Sequence, residues 1–294
     1  MKTSITNITE GQKKQYFRFV EDAALRSLKE TGLDKDGLQK LIENGDEFQA
    51  RIVTAVRELS VMSNQFTEEE TESNYGYLSG YKKPKPIHEQ IKIIHELFSD
   101  IKWGYFRPNE DEITVQEGAE GLFAIPRWKE IAPTYGEAVQ KVLDLIKQTR
   151  NGAFYNYRES QLGPQYLRQS TKASKAFQKL GDEQKDYDIL VVSAQFGLRH
   201  RGRSVRRARE VMNQSEFGLG VFAIGIMILT HPERLQHLDD LWIDCAGDEF
   251  SPNADGDISE SLYFGFREGM VGFGSGQVSD TYDYYGSASG LVLQ

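Results

Sequence analysis

Apolar and polar positions alternate along this chain with a period that changes several times. Phe17, Val20, Ala24, Leu25 and Leu28 recur at helical spacing, behind a Thr9–Gln12 "TEGQ" that fits a capping box. "TGLDKDG" breaks that helix, and Asp34 is placed to cap a short one carrying Leu38, Leu41 and Ile42. "NGDE" closes it and opens a third, with Phe48, Ile52, Ala55, Val56 and Leu59 on one side. Residues 66–112 lose the pattern, except for a helix from about Ile87 to Phe98. Beyond Gly118 short apolar runs alternate with amphipathic ones. "GLFAIP", "YDILVVSAQF", "DLWIDC" and "LYFGF" read as strands, and "REGMVGFG" turns back as a hairpin through Glu268-Gly269. "YGEAVQKVLDLIKQ" and "GPQYLRQSTKASKAFQKL" read as helices. "GVFAIGIMIL" is apolar on every side, so its period does not separate a buried helix from a buried strand.

These elements predict an α+β fold: an N-terminal helical module over 1–65, a connector over 66–112, and a mixed α/β domain with a C-terminal β-hairpin over 113–294. Three short helices also suit a helix-turn-helix reader of DNA. Asp46 and Glu47 at the start of the third would repel phosphate, which favours a protein-interaction module that meets its partner through residues 1–65.

Composition adds little until charge is divided along the chain. The total is −9, with 39% hydrophobic residues and one cysteine, Cys245. A single cysteine gives no internal disulfide, and no apolar run reaches membrane-spanning length, so a cytoplasmic protein without a membrane partner is expected. Residues 121–220 net +7, and residues 221–294 net −10.

Much of the positive charge lies in "LRHRGRSVRRAREVM", Leu198–Met212, with six arginines and one histidine. On a helix, Val205, Ala208 and Met212 gather on one side and Arg203, Arg206 and Arg207 on the other. Three readings stand side by side. The arginines form a solvated face, they pair with acids of the C-terminal quarter such as Asp239, Asp240, Asp244, Asp248 and Glu249, or they await an anion. For the last, the site is Arg199, His200, Arg201, Arg203, Arg206 and Arg207, because guanidinium forks suit phosphate.

The acidic quarter raises a second chemistry. Asp244 and Asp248 with His231 are the candidate catalytic set of a metal-dependent hydrolase. "SPNADGDISESL" places Asn253, Asp255 and Asp257 as an EF-hand-like metal loop, but Ser251 and Leu262 occupy the end positions that need carboxylates. His88 and His95 stand seven apart, two helical turns, and do not form an HExxH pair. Cys245 reads as a small core residue. No nucleophile elbow or Walker loop is present, so no cofactor is expected beyond the Ca²⁺ or Mg²⁺ these acids could hold.

"LGPQYLRQS", "QFGLRHRGRSVRRAREVM", "LTHPERLQH", "DLWIDCAGDEF" and "YYGSASG" resemble stretches of an uncharacterised protein family from genomes of uncultivated bacteria. The resemblance implies a real bacterial family and brings no activity, cofactor or site residue. The functional expectation therefore comes from charge alone. It is a non-catalytic binding protein engaging an anionic partner, most plausibly nucleic acid, through the arginine loop-helix. The alternatives are the hydrolase and a ligand-free interaction module.

Overall fold

The alternating pattern folds as an α+β protein. The computed structural model describes residues 10–101 and 114–292, in two units, Met1–Val61 and Met62–Gln294. Thr9 of the expected capping box lies outside the described residues.

In the first unit, α1 (Glu10–Glu30), α2 (Lys35–Glu43) and α3 (Gly45–Asn64, which runs on past the division) match the helical spacing. Asp34 caps α2 by accepting from the Gly37 N–H. The apolar stripe, however, is not a packed face. Phe17 is 64% exposed, Leu25 54% and Ile42 63%.

The second unit holds the strands. A four-stranded antiparallel sheet runs β1 (Gly121–Pro126), β4 (Ile189–Gln195), β11 (Ser289–Leu291) and β5 (Glu216–Gly218). A seven-stranded sheet has the path β10 (Tyr285–Ser287), β6 (Trp242–Asp244), β8 (Glu260–Arg267), β7 (Asp248–Phe250) and β3 (Leu167–Gln169). Off that path, β9 (Met270–Gln277) pairs with both β8 and β2 (Phe154–Asn156). The β8–β9 hairpin turns through Glu268 and Gly269, both at positive φ, as a two-residue loop needs in order to match strand twist.

Every residue of β4 is buried, as its β-branched run predicts. The ambiguous apolar run is helix α9 (Val221–Thr230), with all ten residues buried. It packs against β1, α4 (Ile87–Leu97) and α6 (Tyr135–Thr149). Among the described residues no helix is long and apolar enough to cross a membrane.

Residues 66–101, read from sequence as a connector, lie within the second unit. Tyr81, Ile87, Ile94 and Phe98 enter its main core. The run "GPQYLRQSTKASKAFQKL" is split: β3 comes first, then Ser170 caps α7 (Thr171–Glu183) by accepting from the Ala173 N–H. Asp248 and Glu249 lie in β7.

A capping box opens α6. Thr134 Oγ1 accepts from the Glu137 N–H at 3.3 Å, and Glu137 Oε2 accepts from the Thr134 N–H at 3.1 Å. Thr134→Ala is expected to cost about 1 kcal/mol, read as a lower midpoint in urea with an unchanged slope.

Candidate functional site

The arginine segment follows β4 directly. A 3-10 turn at Leu198–His200 leads into a loop, and Ser204 caps α8 (Val205–Val211) by accepting from the Arg207 N–H. Val205, Ala208 and Met212 pack with Ala246 in a small core of their own, as the helical projection predicts.

The guanidinium groups meet the chain's own acceptors. Arg206 donates to both Glu69 oxygens from Nε at 2.8 Å and lies 4.3 Å over the Phe66 ring. Arg207 is buried. It donates to Glu70 at 2.5 Å and to the Gln65 carbonyl at 2.9 Å. Arg203 reaches Glu70 at 3.4 Å. Arg199 and His200 share Glu216, at 3.2 and 2.7 Å. Arg209 donates to the backbone carbonyls of Ala246 and Asp248 at 2.9 and 2.6 Å. Arg201 is exposed, and its guanidinium donates to the Tyr75 carbonyl at 2.8 Å.

Backbone pairing locks the same contact. Glu70 bridges Arg203, Thr71 N–H donates to the Gly202 carbonyl at 2.7 Å, and Ser204 N–H donates to the Glu69 carbonyl at 3.1 Å. Arg206 holds the Glu69 carboxyl below its ordinary pKa against the cost of burial. Burial raises the pKa of Glu216, but His200, Ser289 and Arg199 outweigh it and leave it at about 2. Four of the six arginines thus meet carboxylates, and these belong to Glu69, Glu70 and Glu216 rather than to the C-terminal quarter. Exposure of one arginine face, expected from the helical projection, is not observed at Arg207.

Of the quarter's own acids, Asp244, Asp248 and Glu249 interact electrostatically with Arg209, while others are used elsewhere. Asp240 accepts from the N–H groups of Leu78, Ser79, Gln236 and His237, and Glu249 pairs with Arg168 at 2.7 Å. Asp255 accepts from Ser251 Oγ and from the Asp257 N–H, both at 3.0 Å, so its carboxylate shapes its own turn beside Asn253 and Asp257.

Asp244 and Asp248 are both buried, and burial raises their pKa values to about 8 and about 7. Asp248 Oδ2 accepts from the Val221 N–H at 2.7 Å. It stands in for a cap that Gly220, lacking a side chain, does not give α9. Tyr135 donates its hydroxyl to the same carboxyl at 2.8 Å. His231 lies at the other end of α9, about 15 Å away along a ten-residue helix. Its Nε2 accepts from the Lys85 N–H at 2.8 Å, its Nδ1 lies 3.1 Å from the Met227 carbonyl, and burial lowers its pKa to about 4. The structure therefore does not bring His231 to the two aspartates. Among the described residues no group of three or more His, Cys, Asp or Glu side chains could hold a metal ion.

A cavity of about 530 Å³ lies beside this buried network. Trp128, Tyr135, Phe177 and Phe222 give it aromatic walls, and Gln169 and Gln178 supply amides. Gly220, at the start of α9, forms part of the lining. Arg127 also lines it, but its guanidinium is spent on the carbonyls of Tyr187, Gly181 and Gln184. The charged lining is completed by Lys129, Glu130 and Asp182.

Compared with protein-family models, curated proteins and solved structures, the chain matches none.

Proposed function

We propose that the chain is a non-catalytic binding protein whose ligand site is the cavity beside Tyr135, and that the ligand is a small, neutral, planar molecule. The cavity carries this reading. Its volume falls in the 300–1,000 Å³ range of small-molecule sites, and it pairs aromatic walls with a few convergent amides. The two cations of its lining, Arg127 and Lys129, are balanced by Glu130 and Asp182, and the Arg127 guanidinium is engaged by backbone carbonyls, which disfavours an anionic ligand. Tyr135 forms part of the wall while its hydroxyl is held by Asp248, so the ring is fixed before a ligand arrives.

Adenine, adenosine, indole and phenol are suitable probes, read by thermal shift and by fluorescence of Trp128. At least one is expected to raise the melting temperature. Gln178→Trp, at an exposed lining position, fills the opening and is expected to remove that rise while leaving the ligand-free melting temperature close to wild type. A panel without any shift, or a shift that Gln178→Trp leaves intact, refutes the assignment.

A second reading keeps an anionic partner, most plausibly nucleic acid, at Arg199, His200, Arg201, Arg203, Arg206 and Arg207. Exposed Arg201, whose guanidinium donates to a backbone carbonyl, favours it. It requires Glu69 and Glu70 to leave their arginines.

A further inference from the structure

The outward face of the seven-stranded sheet carries a recess that none of the chemistry above uses. Its origin is visible in the register. Gly265 of β8 sits directly opposite Gly272 of β9, so two facing positions are bare of side chains. Glycine within a strand costs stability, and a facing pair marks a place where something must come close to the backbone. Here that something is Trp242: a Cβ on Gly265 would stand 2.3 Å from its ring. The indole lies against the strand, beside Tyr263 at 5.3 Å between centroids. On the far side, β2 pairs in parallel with β9, and alternation sends Phe154 to the core and Tyr155 outward. Tyr155 and Tyr157 face each other at 4.5 Å. The result is a shallow recess of about 240 Å³, with Gly272 in its floor, the Trp242 indole over buried Gly265 and tyrosines in its walls.

These rings are not covered by the fold. Tyr155 is 53% exposed and Tyr157 63%. A cluster of exposed large rings, unlike a single one, marks an interaction site.

The charges select the occupant. The two charged side chains in the lining, Arg267 and Glu268, lie 3.4 Å apart and neutralise each other. A cation would meet no uncompensated carboxylate there. A polyanion would meet the C-terminal quarter, which nets −10. What fits is an uncharged molecule with flat C–H faces and a hydroxyl edge. Aromatic faces take the first, and a neighbouring guanidinium and carboxylate supply donors and acceptors for adjacent hydroxyls. We infer that this recess is a saccharide-binding subsite for one or two rings of a neutral oligosaccharide or polysaccharide. A proline-rich peptide would also stack on tyrosines, but it offers no hydroxyls to the Arg267–Glu268 pair.

Native affinity electrophoresis in gels containing dextran, glucomannan, xylan or mixed-linkage β-glucan tests this on the full chain. Retardation by at least one is expected. It should weaken about tenfold in Tyr157→Ala, the loss of one stacked ring. Gly272→Ala provides a second variant. Its methyl would stand 3.5 Å from the Tyr157 ring, ordinary contact that keeps the fold while raising the floor, and it too should weaken retardation. Gln178→Trp should leave retardation unchanged, which separates this site from the cavity at Tyr135. Mobility unaffected by all four polysaccharides overturns the inference. So does retardation that survives both Tyr157→Ala and Gly272→Ala, or binding of a polyproline peptide in their place.

Discussion

Asp244→Asn is expected to stabilise the protein at pH 8 and to do so by several kcal/mol less at pH 5. The sign follows from proton binding. Burial pushes Asp244 up to about 8 in the folded state, against an ordinary value of 3.8, so between those values the folded state holds a proton that the unfolded chain has released. Stability then falls as pH rises, and the fall levels off once pH passes the folded value. His231 acts in the opposite sense. Its folded pKa of about 4 lies below 6.5, so its contribution grows from pH 4 to 6.5 and is constant above. The window from pH 6.5 to 8 is therefore free of His231, while Asp244 and, up to about 7, Asp248 still weaken the fold. At roughly 1.4 kcal/mol per pH unit, Asp244 alone removes about 2 kcal/mol across that window. For a unit of this size that is a fall in melting temperature of about 5 °C. The asparagine variant should lose most of this slope. Melting curves at pH 5, 6.5 and 8 decide the matter, and an unchanged slope in the variant would mean that Asp244 is ionised in the fold at neutral pH.

Replacing Glu69 and Glu70 together by glutamine is expected to cost about 2–3 kcal/mol, because hydrogen bonds to charged groups are the stronger kind and buried Arg207 would lose its Glu70 carboxylate. The same double variant separates the two readings of the arginines. Wild type should pass through a heparin or phosphocellulose column at low salt, since Arg203, Arg206 and Arg207 are already paired. The variant should be retained, with retention falling steeply as salt rises. Retention of wild type that is lost on changing Arg201 and Arg206 to alanine would reverse this conclusion and favour the anionic partner.

The reasons for success and failure in reading this chain differ by element. Helix α6 carries a period that burial enforces and β4 a β-branched run that suits burial on both faces, and both stand where the sequence places them. Helix α9 has no period to read, because all of its faces are buried. Strand β3 was hidden inside an apparent helix: it exists through its partner β7, some eighty residues away, and only Ser170 marks where the helix begins. Strands β10 and β11 were hidden in the same way, since their Gly and Ser residues read as loop. Charge counting found the arginine row but chose its partners by nearness in sequence. Glu69 and Glu70 meet the row through backbone pairing that no local pattern reports. The cavity was illegible because its walls come from several separate elements.

Strand β11 lies between β4 and β5, and β10 immediately before it joins the other sheet. Gln195 meets Ser289, so roughly a hundred residues must leave the ribosome before the centre of the first sheet can close. At about 5–20 residues per second, the apolar edge of β4 waits for seconds without its neighbour. Raising the supply of holding chaperones in the producing cell is therefore expected to raise the soluble yield.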